Sequence, residues 1–258
     1  MKQWNAVVLA GDRGPGDPVA KAANVHGKAA ARLHYISLLE RVVSVLQQSE
    51  HINRIIAVGP GQICLEKDFE IRAILNQYHV ETMQPAKGPS TSAMQGVLHS
   101  AFYPTLLVTC DLPMLTAPMI DSYCQRVANL DADFVVGAID TALINQKISE
   151  LKKTKYYFNG QTVSFANLFA VLTPDGVKAI EYWQDVEECR KRPIELIRKI
   201  DWMSILRYKL GRLSLMQVAD KLSRKVGARL VIEKFSVPEM AIDVDSAHDY
   251  EVLSRYLK

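Results

Sequence analysis

Long apolar runs are missing from this 258-residue sequence. No stretch approaches the roughly 20 consecutive apolar residues that a membrane span needs. Cysteine is scarce: Cys64, Cys110, Cys124 and Cys189 stand far apart, with no C-x-x-C. That argues against a disulfide framework or a zinc site and for reduced thiols in a cytoplasmic protein. The N-terminal apolar run, Ala6 to Ala10, is too short for a signal-peptide core. A net charge of +3 is too small an excess to argue for a nucleic-acid partner. The histidines have no metal-ligand spacing, and no Ser-His-Asp or Cys-His nucleophile arrangement is visible. Internal repeats and low-complexity linkers are also missing, so residues 1–258 read as one domain. Whether the chain forms a homo-oligomer stays open.

What is present is an alternation of strand and helix signals through the first half. Ala6–Ala10, Arg54–Val58, His79–Met83, Thr105–Thr109 and Asp133–Ala138 read as strands. Ala29–Ser49, Asp68–Gln77, Thr91–Phe102 and Ala117–Leu130 read as helices, the first from apolar residues at helical spacing. Repeated units of this kind predict an α/β fold, a mostly parallel sheet flanked by helices on both faces. The second half differs. Lys155–Phe158 and Thr162–Phe165 flank Asn159-Gly160, a pair suited to a type I′ hairpin turn. Asn167–Leu172 reads as another strand, with a helix from Pro174 to Trp183. Pro193 to Gly227 reads as helical, broken near Gly211. Arg229–Phe235 and Ala241–Val244 read as strands, and Ser246 caps a last helix to Leu257. Residues 147–238 therefore form a C-terminal hairpin and helical elaboration.

In open α/β sheets ligands bind beyond the carboxyl ends of the strands. The loop Gly11-Asp12-Arg13-Gly14-Pro15-Gly16-Asp17 follows the first strand there. Its backbone N–H groups, with Arg13 and the later Lys28, suit a phosphate chain. Asp12 and Asp17 fit the role of loop formers. Asp111 follows the buried strand Thr105–Thr109, a position suited to holding Mg²⁺ against substrate phosphates. Asp243 and Asp245 share one side of the last expected strand, and their repulsion falls if a cation lies beside them. Asp249, a turn later, reads as helix N-terminal charge. Pro89, Ser90 and Ser92 lie in a loop that caps a helix and offers groups to a base edge or ribose. The stretch Arg190–Arg212 carries eight basic residues. It reads as a solvated helix face or as a rim attracting a phosphorylated second substrate.

Together these segments resemble the MobA-like nucleotidyltransferase superfamily. They are Leu9-Ala10-Gly11-Asp12-Arg13, Gly27-Lys28-Ala29, Gly88-Pro89-Ser90 with Ser92, Cys110-Asp111-Leu112-Pro113 and Ile242-Asp243-Val244-Asp245-Ser246. The resemblance implies a Rossmann-like GT-A-type fold. It also implies a reaction: a phosphorylated small-molecule acceptor attacks the α-phosphate of a nucleoside triphosphate, and pyrophosphate leaves. By the same resemblance Leu9, Ala10 and Gly11 lie along base and ribose, and Arg13 and Lys28 hold the triphosphate. Asp111 carries Mg²⁺, with Asp243 and Asp245 helping as in relatives that activate phospholactate-type acids. GTP and CTP are the usual donors. The longer loop before Lys28 departs from the family pattern. Residues 147–238 would form the acceptor side, with Asn167 as a contact. Two other readings are a GT-A glycosyltransferase using a nucleotide-sugar and a non-catalytic nucleotide-binding protein. The first is disfavoured because its D-x-D motif is replaced here by Asp111-Leu112-Pro113.

Overall fold

The first strand, β1 (Trp4–Leu9), is buried along its whole length. Trp4, Ala6 and Val8 enter one apolar cluster, while Val7 and Leu9 enter another on the opposite face. This period of two, apolar on both sides, is the pattern of a sheet covered by helices on each face. A computed structural model describes residues 3–11, 14–189 and 192–257. The remaining strands are β2 (Arg32–Leu33), β3 (Ile36–Ser37), β4 (Ile52–Val58), β5 (Glu81–Met83), β6 (Thr105–Thr109), β7 (Phe134–Asp140), β8 (Tyr156–Phe158), β9 (Gln161–Val171) and β10 (Leu230–Phe235). The helices are α1 (Pro18–Ala23), α2 (Leu38–Gln48), α3 (Gln62–Lys67), α4 (Phe69–Gln77), α5 (Pro89–Ser100), α6 (Ala117–Ala128), α7 (Thr141–Lys147), α8 (Val177–Val186), α9 (Pro193–Ile200), α10 (Trp202–Lys209), α11 (Leu215–Val226) and α12 (Ala247–Tyr256).

The central sheet runs in the order β10-β7-β9-β6-β1-β4-β5, with β8 paired to β9. The pairs β1–β4, β1–β6, β4–β5 and β7–β10 are parallel, and β9 is antiparallel to both of its long neighbours. The mostly parallel, helix-flanked sheet is therefore as expected. Helices α2, α6 and α12 cover one face through residues such as Val42, Val43, Tyr123, Val127 and Leu253. Helices α5 and α8 cover the other through Ala93, Val97, Ala179 and Ile180. Gly96 is needed for α5 to lie flat: a Cβ there would fall 2.5 Å from a Val7 methyl and 2.7 Å from a Val58 methyl.

Several boundaries differ from the sequence expectation. The helix expected from Ala29 begins only at Leu38. His34 and Tyr35 have φ of 49° and 70° and close a tight turn between β2 and β3. Ser37 then caps α2, its hydroxyl accepting from the Glu40 N–H at 3.1 Å. Thr162–Phe165 and Asn167–Leu172 are not two strands but one, β9, which lies between β6 and β7. The hairpin thus lends its long strand to the middle of the sheet. Ala241–Val244 is not a strand. Pro238, which has no N–H to give a ladder, opens a 3₁₀ turn to Ala241, and the next residues run irregularly. Helix α3 has no counterpart in the sequence expectation.

Candidate functional site

A cleft of about 960 Å³ opens at the carboxyl edge of β1 and β6. Leu9 and Thr109 are register partners at the ends of these parallel strands, so Gly11 and Asp111 emerge beside each other. The Cys110 N–H donates to the Leu9 carbonyl at 3.0 Å and ties the two exits together. Gly59 supports this step from behind. Its φ is 98°, and a Cβ there would lie 2.6 Å from Ala10 C and Gly11 N. Only glycine lets β4 end so close to that backbone. Asp17, expected as a loop former, caps α1 by accepting from Val19 N at 2.9 Å and Ala20 N at 3.1 Å. Arg13 and Asp12 lie outside the described residues.

Lys28 lies in a short 3₁₀ turn, Lys28–Ala30, and is buried. Its ammonium donates to Asp111 Oδ2 and stands 4.0 Å from Asp245 Oδ1. Burial works against the charge on Lys28, but the Asp111 carboxylate outweighs it and holds the pKa above the usual lysine value. Asp111 is itself oriented: the Thr109 hydroxyl donates to its other oxygen. The segment carrying Asp243 and Asp245 is held directly against this corner, because the Val244 N–H donates to the Asp111 carbonyl at 3.0 Å. The carboxylates therefore meet, but across an irregular segment rather than across adjoining strands.

Asp243 is held by different partners. Lys153 donates to one of its carboxylate oxygens and, at 2.7 Å, to its backbone carbonyl. Asn167 Nδ2 donates to the other carboxylate oxygen at 2.7 Å. Burial, with the nearby Asp111 charge, pushes the Asp243 carboxyl above the usual range, against the pull of Lys153. Asp249 borders the cleft, but its carboxylate is engaged in the first turn of α12. It accepts from Asp245 N at 3.2 Å and from the Ser246 hydroxyl at 2.8 Å, while its own N–H donates to Ser246 Oγ. It is a capping residue, as the sequence suggested.

Among the described residues no three His, Cys, Asp or Glu side chains converge on one metal position. Magnesium does not require such a cage: one or two carboxylates suffice when waters and substrate phosphates complete the shell. Asp111 and the neighbouring Asp243–Asp245 segment, with one carboxyl raised partly by the other's charge, fit that requirement.

The far wall of the cleft includes Pro85 to Pro89 and Ser92. The Ser92 hydroxyl accepts from Ala86 N at 3.0 Å and sets the loop. Ser90 is buried, and its N–H and hydroxyl both donate to Glu187, which enters from the end of α8. Ala10 is fully buried, whereas Leu9 and Gly11 border the cleft. The described part of the basic stretch, residues 192–212, presents its cations as a solvated helix face, one of the two readings the sequence offered. Its apolar residues Leu196, Ile197 and Ile200 line the cleft, while Arg198, Lys199, Arg207, Lys209 and Arg212 are exposed.

A family model described as the MobA-like NTP transferase domain matches residues 6–194. The chain belongs to the MobA-like NTP transferase family. As a MobA-like NTP transferase it is a nucleotidyltransferase enzyme. A hypothetical transferase from Thermus thermophilus has a similar structure, with a TM-score of 0.75 and 23% identity over 97% of this chain and 100% of its own. A CMP-2-keto-3-deoxy-manno-octonic acid synthetase solved with CTP gives 0.60 and 8% identity over 100% of this chain and 98% of its own. The CTP:phosphocholine cytidylyltransferase from Streptococcus pneumoniae gives 0.57 and 12% over 99% and 100%. At these identities the likeness is one of fold. No curated protein sequence matches the chain.

Sequence reasoning missed several members of this MobA-like site. Lys153 becomes visible only when the fold joins it to Asp243, and Glu187 only when α8 packs beside α5. Asn167 was expected as an acceptor contact, but its neighbours Phe165 and Phe169 were not; their signal, an alternation of half-buried positions along β9, was hidden because the strand had been divided in two.

Proposed function

We propose that this enzyme transfers a nucleoside monophosphate from a nucleoside triphosphate to a phosphorylated small-molecule acceptor. An acceptor phosphate oxygen attacks the α-phosphorus. The bond from that phosphorus to the oxygen leading to the β-phosphate breaks, and pyrophosphate leaves with the electron pair. The observation that carries this reading is Lys28, a buried cation held between Asp111 and Asp245 where β1 and β6 open into the cleft. A cation fixed there is pre-organised for phosphate charge, and such positioning supplies most of the rate in phosphoryl chemistry.

In this reading Lys28 leaves Asp111 for the triphosphate, joined by Arg13, which the family resemblance alone assigns. Mg²⁺ held by Asp111, with Asp243 or Asp245, would neutralise the phosphate oxygens. Leu9 and Gly11, which border the cleft, face base and ribose together with Pro89 and Ser92, whereas Ala10 and Ser90 are buried behind them and support the wall. Lys153 and Asn167 orient the acceptor phosphate. CTP is the favoured donor, since named structural neighbours are cytidylyltransferases or hold CTP. Pyrophosphate release across the four nucleoside triphosphates, with phosphorylated acceptors, tests the reading. CTP-dependent release that needs an acceptor is expected. Release of a nucleoside diphosphate from a nucleotide-sugar instead would mark a glycosyltransferase.

A further inference from the structure

The two faces of the sheet are packed differently. One face carries a continuous apolar core. The other carries two separate clusters, one built on β1, β4, α5 and α8, the other on β8, α9 and α11. The inner branch of the cleft runs between them. Its floor is β9, where Phe165, Asn167 and Phe169 point to the same side and are only half-buried. Yet β9 has a hydrogen-bonded strand on either side, in the middle of the sheet. Side chains in that position are ordinarily close-packed. Here the cover is partial: Trp183 of α8 places its ring 5.5 Å from that of Phe169, Leu196 of α9 and Leu222 of α11 pack in the cluster that holds Phe165, and all of them still border the open cleft.

The branch has a polar mouth and an apolar interior. Asn167 sits between the two phenylalanines and reaches Asp243, next to Lys153. The segment that would face the nucleotide, from Pro85 into the first turn of α5, where the sequence expectation had placed a loop, follows β5 on the other wing of the sheet. A nucleobase in the branch would lose water from its polar edges against Phe165, Phe169 and Leu196, with little to replace it. A hydrocarbon would gain by the same burial.

We propose that the acceptor is an amphiphilic phosphomonoester, its phosphate at Lys153 and Asn167 and its hydrocarbon part lying over Phe165 and Phe169 beneath α8, α9 and α11. This rests on the transfer reaction proposed above for what becomes of the phosphate, but the binding can be measured without it. The test is calorimetric titration of the full chain, without nucleotide, using n-hexyl phosphate, n-decyl phosphate and glycerol phosphate below their micelle concentrations. Each buried methylene should tighten binding about fourfold, the equivalent of ~0.8 kcal/mol. Decyl phosphate, with four more methylenes, should thus exceed hexyl phosphate by roughly 250-fold if all four are buried. Ala219→Phe, which projects into the branch from α11, should erase the chain-length gain and leave glycerol phosphate binding unchanged. Should that variant not fold by circular dichroism, Phe169→Ser serves, and should lose most of the gain. Equal affinity for decyl and glycerol phosphate, or an undiminished gain in the folded variant, overturns the proposal. Tail binding without pyrophosphate release would instead refute the transfer reaction and leave the branch assignment standing.

Discussion

Replacing Lys28 by methionine should separate two roles that this residue combines. The substitution keeps the volume of the stem but strips a charge from a pair whose side chains are only 10% and 11% exposed. Removing one partner of a buried pair costs about 3–5 kcal/mol, because the other charge stays behind. The residual exposure to cleft water puts Lys28→Met at the lower end, about 3 kcal/mol. Adding Asp111→Leu removes the stranded carboxylate and should return about 2 kcal/mol, since apolar replacement of a whole buried pair is often neutral. Urea unfolding followed by tryptophan fluorescence reads this out, with Trp4 fully buried as reporter. The midpoint should shift and the slope stay constant. The sign of the pH dependence follows from the raised Lys28 pKa. A raised lysine contributes fully below its unfolded value of about 10.4 and is lost only as pH climbs through the folded value. The deficit of Lys28→Met should therefore be the same at pH 7 and pH 9. A loss under about 1 kcal/mol, or a double variant no more stable than the single, would refute the reasoning. Both variants should lack turnover, so stability and catalysis come apart in the double variant.

Three further outcomes are expected. Gly59→Ala should cost at least about 2 kcal/mol, from the left-handed backbone and the contact with Ala10 and Gly11; thermal melting checks it, and it should weaken nucleotide binding. Asp201 caps α10 and pairs with Lys221. Burial raises its pKa, but hydrogen bonds from Lys221 and Ser204 bring it down to about 2. Its contribution is present above the unfolded value and lost as pH falls towards 2, so Asp201→Asn should blunt the acid side of the stability curve. Chelation of divalent cations should stop pyrophosphate release, and added Mg²⁺ should restore it; release that persists in excess chelator would remove the metal from the mechanism.

The parts of this fold legible in the sequence are those set by local chemistry. Thr105–Thr109 is a strand with the expected ends because its apolar run closes at a site that turns. Ser246 caps α12 through its own hydroxyl. The helix expected from Ala29 shows the limit: alanines with leucine and isoleucine at helical spacing carry the pattern, but left-handed His34 and Tyr35 break it. Nothing in the type of those two residues announces that geometry. Within the site, Asp111 was legible because it adjoins a strand exit, and Lys28 because it follows the glycine-rich loop that leaves β1. Lys153 was not, since its meeting with Asp243 depends on chain paths 90 residues apart. The division of β9 hid the aromatic floor for a similar reason: its even residues face one core and its odd residues the cleft.

The central claim is that Asp111 and Lys28 mark a site where a phosphate–phosphate bond is made. Its most direct test is ³¹P NMR of the product formed from CTP and a phosphorylated acceptor with Mg²⁺. Coupled diphosphate resonances of a nucleoside-diphosphate-linked product should appear together with free pyrophosphate, and both should be lost in Asp111→Asn measured below that variant's melting temperature. Nucleotide left intact, simple hydrolysis to the monophosphate, or the same product from Asp111→Asn would contradict that claim.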